Sequence, residues 1–530
     1  MSTFLLLTLL FGAGSACCQL AKVPLTDEQK YAHNIKRGVV ILTPFSKNIR
    51  SVSVGDLIPD PSGGYIKFKI LKANVGSTKS EPYAHFMKLD TRMNIVSQKE
   101  TTLPTDDPSF EPIGTFETPG MLNLLMSSID KEGRTMRISY WQFNLSNFAL
   151  LQKDVPLVDF PFDKSKDYDF RICNSDDKKN FGLTILEEGA RKDPAILHTA
   201  SFGNDLTRHF KVTTTLPYLS NKGNINSTEM TANGAIYSLL DYTDGKKDDF
   251  KVNTLLMATR EKQQLIPLIY KGEHLINSAF FISAQNEVLV AGLNPPGRKD
   301  YCSALVFGKV SKEAQFVVER EETFSKDLLD KLANADERGL KKDYYVRSIS
   351  QRPNGLVDVV LNCCKPNLYS PGTTTSGGTS HQTEVGDLVI LTYKNNVAVA
   401  THHLPRKLSQ TEKGMVTRVN KQRFSTPQVF GINNDLYLLH LDNPSNFMGT
   451  GGKKISETNF YDCGLMLSRL DEKGKITQQQ LISFEKKTPF PYYLNFNVNK
   501  IDNQHYVLTA ERYKIFSKNV TSAGALVRIN

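Results

Sequence analysis

Few residues in this chain are spaced to do catalytic chemistry. A G-x-S-x-G nucleophile turn, an H-E-x-x-H zinc helix and a phosphate-cradling P-loop are all absent. Asp241, Asp244, Asp248 and Asp249 gather carboxylates in one stretch, but their spacing is not that of a calcium loop. Lys246 and Lys247 offset the charge, so the stretch reads as a solvated turn. His402 and His403 are neighbours on an expected strand. Their side chains point to opposite faces and cannot share a metal ion. No cofactor, metal site or catalytic residue is expected.

Binding chemistry is better represented. Between Pro405 and Ser425 stand Arg406, Lys407, Lys413, Arg418, Lys421 and Arg423 against the single acid Glu412, and Lys453 and Lys454 fall on the same side. Arg406, Lys407, Lys453 and Lys454 are therefore the candidate contacts for an anionic partner. The whole chain has 65 Lys and Arg against 55 Asp and Glu, a net charge of +10, which permits such a partner without demanding one.

The seven cysteines fall into two groups. Cys17 and Cys18 follow the apolar run FLLLTLLF (4–11) and the small residues 12–16, the shape of a secretory signal peptide. The chain divides into a signal peptide (1–18), a linker (19–36) and a folded region (37–530). Either Cys17 or Cys18 is a lipidation candidate, and ordinary cleavage after small residues is the alternative. Both routes lead to an extracytoplasmic protein, secreted, periplasmic or an outer-membrane lipoprotein, whose thiols meet an oxidising environment. Membrane association is expected only through the lipid, and a nucleic-acid partner is disfavoured by the signal peptide, so none is expected. The remaining cysteines, Cys173, Cys302, Cys363, Cys364 and Cys463, are odd in number, so not all can pair internally. Cys302, Cys363, Cys364 and Cys463 are expected to converge on three neighbouring units. At least one disulfide among them should tie units together, leaving Cys173 free.

The elements that carry these residues come from a weak repeat. A tight turn followed by an apolar strand recurs at Tyr65, Met121, Gly182, Ala235, Val288, Leu356, Leu436 and His505. Gly, Asn and Asp before each strand are turn chemistry, because they tolerate positive φ. A strand precedes each turn, and an apolar hairpin follows most of these strands, as in 138–151, 303–318 and 387–400. Each unit thus reads as four strands, a to d, in an antiparallel meander. Radially repeated meanders make a β-propeller. The last unit lacks its fourth strand, whereas GVVILTPF (38–45) is a spare strand near the start. Their pairing gives an all-β chain with one eight-bladed ring closed by the N-terminal strand. Seven blades, a β-sandwich array and two smaller propellers are the alternatives. One helix is expected from Ser325 to Gly339, with Leu328, Leu329, Leu332 and Ala335 on one face.

A single tryptophan, Trp141, argues against propeller classes that repeat Trp in every blade, and suits a core position. The stretch GDLVILTYKNNVAVATHHLPRK (386–407), followed by FGINNDLYLLHLDNPSNF (430–447), resembles uncharacterised exported propeller-like proteins of Gram-negative bacteria. The likeness is best in the last third of the chain. It implies fold and compartment and brings no catalytic residue with it. The long connections 362–386, 442–463, 323–343 and 405–425 should share one face over blades 5 to 7, and function concentrates in such loops. The expected function is a non-catalytic binding or assembly module of the cell envelope, its partner a protein or an anionic envelope polymer. The alternative is a hydrolase or lyase acting on a polysaccharide at the central channel. That reading needs paired carboxylates on the inner strands.

Overall fold

The computed structural model describes residues 40–42, 46–49, 51–52, 57–60, 62–72, 82–91, 95–103, 110–130, 132–190, 193–220, 222–243, 252–295, 300–371, 379–413, 427–443, 446, 458–459, 464–482, 497–500, 505–513 and 519–528. The fold is nearly all β. Lys326–Leu329 is a single short helix among the described residues, and none there is long and apolar enough to cross a membrane.

Eight sheets of four or more strands, antiparallel but for one added strand, follow one another along the described chain. Sheet 1 holds Leu57–Pro59, Tyr65–Lys72, Pro82–Leu89 and Ile95–Thr102, with Ser51–Val52 beside its second strand. Sheet 2 holds Glu111–Thr118, Met121–Ile129, Thr135–Asn144 and Leu150–Pro161, and sheet 3 holds Asp167–Asn174, Asn180–Glu188, Pro194–Gly203 and Arg208–Leu219. Sheet 4 holds Gly223–Met230, Ile236–Tyr242, Val252–Ala258 and Gln263–Pro267, and sheet 5 holds Ile276–Ile282, Val288–Leu293, Ala304–Val310 and Phe316–Thr323. Sheet 6 runs through Tyr344–Gln351, Leu356–Pro371, Thr379–Lys394 and Val397–Leu404, and sheet 7 through Gln428–Ile432, Asp435–Asp442, Gly464–Leu470 and Ile476–Ile482. Sheet 8 joins the two ends of the described chain. Asn497–Lys500, His505–Tyr513 and Asn519–Arg528 are followed by Val40–Leu42 and Ser46–Ile49, both antiparallel to Asn519–Arg528.

Burial along the strands explains the stacking. Second strands such as Met121–Ile129 and Asn180–Glu188 are buried on both faces along almost their whole length, the pattern of a strand sandwiched between layers. Outer strands such as Arg208–Leu219 alternate instead, one face buried and one in solvent. Apolar clusters lie between successive sheets. Phe68 and Phe86 of sheet 1 pack with Leu124 and Phe143 of sheet 2, and Ile138 and Phe160 of sheet 2 pack with Phe181 and Phe202 of sheet 3. The series continues to Val360 and Ile390 of sheet 6 against Leu436 and Leu438 of sheet 7. Trp141 is fully buried in the first of these clusters.

The turns between first and second strands repeat one geometry. Gly234 and Gly355 have φ of +87° and +80°, and Lys178, Asn286 and Asn433 take the same left-handed region at equivalent places. The first strands of sheets 2 to 7 lie side by side, each in contact with the next.

Two expectations are corrected. The helix starts at its N-cap, Ser325 accepting from Leu328 N, but ends after one turn. The chain then folds into a hairpin of Ala335–Asp336 and Gly339–Lys341, which pairs with Tyr301–Cys302. Leu328, Leu329 and Leu332 are buried as expected, so the apolar spacing reflects burial rather than helix length. The connection expected at 362–386 is largely strand. The second and third strands of sheet 6 continue as a ribbon, on which Leu408–Lys413 adds antiparallel and Thr458–Asn459 adds parallel to that.

Candidate functional site

In sheets 2, 4, 5 and 6 the pairing of first and second strands slips. The shifts fall between Pro112 and Gly114, Ile225 and Ser227, Ile276 and Ala279, and Val346 and Ser348. A bulge leaves a residue unpaired and re-aims its side chain. Asn226, Asn277, Ser278 and Arg347 are residues so placed, and all four line one cavity of about 720 Å³. Residues of sheets 3 and 7, among them Asp169, Arg171 and Gln428, complete the wall.

The wall is polar and mostly tied down. Asn277 has φ +51°; its Nδ2 donates to the carbonyls of Lys342 (2.8 Å) and Tyr344 (2.7 Å), joining sheet 5 to sheet 6. Ser278 N donates to Asn253 Oδ1 at 2.8 Å. Asp169 pairs with Arg171 at 3.1 Å, and Asp241 is not free either. Burial pushes the Tyr345 phenol up to about 12, with the Arg347 charge acting against the rise.

Arg347 is different. Its guanidinium lies 4.7 Å from the Tyr345 ring centre. Burial pulls its pKa down, and the neighbouring Cys364 and Tyr345 offset that in part. The Cys364 side chain hydrogen-bonds to the guanidinium; Arg347 Nε and Nη2 are shut off from solvent without a partner, and Asn224 Oδ1 in the same wall is equally unpartnered. Buried polar atoms are normally satisfied, and a buried charge without a counter-charge is costly. The wall therefore offers a donor edge and an acceptor. Among the described residues no group of three His, Cys, Asp or Glu could hold a metal ion.

The residues singled out from sequence fall elsewhere. Lys407 is exposed. Arg406 is not: only 3% of it is accessible. Its backbone N donates to Asp387 Oδ1 at 3.1 Å, and its guanidinium donates to Gly386 O (3.2 Å), Asn362 Oδ1 and Leu441 O (3.4 Å). It bridges sheets 6 and 7 instead of facing solvent. A run of basic residues reads as solvated, because the carbonyls that receive one of them are invisible in sequence. Nearby, burial pushes Asp442 up to about 6 against the pull of Arg406, while burial and Arg406 together push His440 down to about 3. Lys453, Lys454, Cys463, Cys17 and Cys18 lie outside the described residues.

The four described cysteines, Cys173, Cys302, Cys363 and Cys364, are buried free thiols. The disulfide expected within the cluster is not formed among Cys302, Cys363 and Cys364. Cys302 and Cys363 share one apolar cluster, and burial pushes both thiols up to about 12. They behave as small apolar core residues. His402 and His403 do take opposite faces: His402 lines a groove between sheets 6 and 7, and His403 Nε2 lies 3.4 Å from Asp387 Oδ1.

At the opposite end of those sheets, Arg352 makes a second bridge that sequence reasoning missed. Its Nε and Nη2 hold Asp358 at 2.6 and 2.8 Å, and its Nη1 reaches Asn434 O (3.1 Å), Asp471 O (3.2 Å) and Leu470 O (3.5 Å) of sheet 7. Thr392 Oγ1 donates to the same carboxylate at 2.7 Å.

No family model matches the chain, and no curated protein does. Solved structures are similar to it only distantly. The β-propeller domain of the Trilobed protease from Pyrococcus furiosus is 11% identical, with a TM-score of 0.33 over 83% of this chain and 98% of that one. A protein of unknown function from Dyadobacter fermentans is 12% identical, with a TM-score of 0.35 over 69% of this chain and 96% of that one. The polysaccharide lyase Uly1 is 7% identical, with a TM-score of 0.39 over 81% of this chain and 91% of that one. Such values assign no activity to this chain, and its architecture rests on its own strand pairing.

Proposed function

We propose that the eight sheets are the blades of one propeller, closed by Val40–Leu42 and Ser46–Ile49 in the last blade, and that the chain is an extracytoplasmic, non-catalytic binding or assembly module. The observation that carries this reading is the cavity. The first strands of several sheets bulge toward a shared space walled by amides, hydroxyls, the charged side chains of Asp169, Arg171 and Asp241, and the Arg347 guanidinium, two of whose nitrogens have no partner. Such a wall orients a polar ligand. A glycosidase or lyase at the same place needs a pair of available carboxyl groups, whereas of the two in the wall Asp169 is engaged by Arg171 and Asp241 is not free. The partner class is an anionic polymer or a protein of the cell envelope, reached after export by the N-terminal signal segment, with a lipid on Cys17 or Cys18 as the anchor where one is attached. Lys407 adds positive charge outside the cavity, and Lys453 and Lys454 remain the further candidate contacts.

The test is retention of the full chain on immobilised anionic and neutral envelope polysaccharides, with the flow-through analysed for cleaved products. Retention on anionic polymer without product supports the reading. Release of oligosaccharides turns it into the enzymatic one, and failure to bind any polymer or envelope protein removes it.

A further inference from the structure

We propose that the cavity takes a carboxylate that also carries hydroxyl groups, the chemistry of an acidic sugar, and that Arg347 is the residue that selects it. The inference rests on the binding reading above and names the ligand class of the same cavity.

Three observations converge on Arg347. First, the backbone delivers it on purpose: the slip between Val346 and Ser348 takes Arg347 out of the ladder and into the cavity wall. Second, the ring of Tyr345 lies 4.7 Å from the guanidinium carbon and supports one face of the plane. Third, the unpartnered atoms are Nε and Nη2. These two form one edge of the guanidinium, and their hydrogens point the same way, as a fork that matches the two oxygens of a carboxylate. A lysine, with its point charge, has no such edge. Arg347 lines a cavity of about 720 Å³, which has room for a sugar ring. Of the other charges in the wall, Asp169 and Arg171 pair with each other, and Asp241 is not free.

Asn224 Oδ1 sets the second requirement. It is an acceptor without a donor in the same wall, so the ligand must bring an O–H or N–H as well as its anion. Asn226, Ser227 and Thr228 add further hydroxyl and amide groups on the same strand. A simple inorganic anion satisfies the fork and leaves Asn224 unmet. A neutral sugar meets Asn224 and leaves the fork unmet.

The experiment is a calorimetric titration of the full-length protein with galacturonate, galactose and acetate, beside melting curves of wild type, Arg347→Gln and Arg347→Lys. Galacturonate should bind with one site per chain, and galactose and acetate each about ten- to a hundredfold more weakly, the loss expected for a charge-assisted bidentate pair or its neighbouring hydrogen bonds. Arg347→Gln should lose galacturonate affinity by a similar factor, and Arg347→Lys should not restore it. In ligand-free buffer Arg347→Gln should melt close to wild type, since it removes a half-buried charge two of whose nitrogens have no partner. Equal affinity of wild type and Arg347→Gln for galacturonate overturns the assignment, as does equal affinity of wild type for galactose, or no galacturonate binding at all. If these fail while the protein is still retained on anionic polymer, the binding function stands and only the assignment to this cavity falls.

Discussion

The bridge made by Arg352 gives the sharpest test of how sheets 6 and 7 are held together. Both side chains of its ion pair are essentially inaccessible, Arg352 at 1% and Asp358 at 0%. Replacing Asp358 by Asn leaves the guanidinium in place without its counter-charge, and removing one partner of a buried pair costs about 3–5 kcal/mol. Replacing Arg352 by Met costs more. It orphans the carboxylate and also abandons the carbonyls of Asn434, Leu470 and Asp471, which are the links to sheet 7. A melting entropy of roughly 2.1 cal/mol/K per residue gives about 1.1 kcal/mol/K for 530 residues unfolding as one unit. Asp358→Asn should then lower Tm by about 3–5 °C, and Arg352→Met by more. The double variant Arg352→Met, Asp358→Leu should melt above Arg352→Met alone, because it leaves no buried charge. Differential scanning calorimetry of the three variants decides it. The reasoning fails if either single variant melts within about 1 °C of wild type, or if the double variant loses the sum of both single losses.

Three further outcomes are expected. Burial pushes Glu229 from 4.5 up to about 7, against the hydrogen bond from Ile282 N. The folded form holds its proton more tightly than the unfolded one, so this group's stabilisation is complete below about pH 4.5 and is lost as pH rises to about 7. Glu229→Gln should therefore gain on wild type across that window by up to about 3 kcal/mol; a Tm difference that is flat with pH refutes it. Deleting residues 37–50 strips two strands from sheet 8 and leaves Asn519–Arg528 as an open edge. The truncated chain should aggregate or melt far lower, and unchanged light scattering and Tm would refute closure by this segment. Charge reversal at Lys407, Lys453 and Lys454 should leave Tm nearly unchanged and weaken binding to anionic polymer, whereas Arg406→Glu should unfold the sheet 6–7 junction. A soluble Arg406→Glu protein with wild-type Tm would contradict the burial of that side chain.

What could be read from sequence divides along a physical line. Strands and their turns were legible because both are local. Period-2 burial and turn residues at Gly234, Gly355, Asn286 and Asn433 act within a few residues of chain, and each turn takes the positive φ its residue type allows. The pairing of Val40–Leu42 with Asn519–Arg528 was legible for a different reason: one unit lacked a strand and another segment had one to spare. The ribbon of sheet 6 was missed because its pairing, for example Ser370 with Ser380, includes polar residues and shows no regular apolar alternation. The helix was overextended because Leu328, Leu329 and Leu332 are buried by one helical turn followed by irregular chain, which produces the same apolar spacing.

The site was the least legible part, and the reason is register. A strand such as YVRSISQ announces alternation, which would place Val346, Ser348 and Ser350 on one face and Tyr345, Arg347 and Ile349 on the other. The slip at Arg347 breaks that parity, so Val346 pairs with Leu361 while Ser348 pairs with its neighbour Val360. No residue type marks the slip. Pairing is a relation between two strands, and only the partner shows where one residue is left over. The same blindness made Arg406 look solvated and left Arg352 unnoticed, since the acceptors of both are largely backbone carbonyls, which every residue has. Charge in this chain therefore misleads when it is read by clustering. The six basic residues of 405–425 drew notice by their number, yet Arg406 serves packing, while a lone arginine on an inner strand, with two serines nearby, keeps the unpartnered edge.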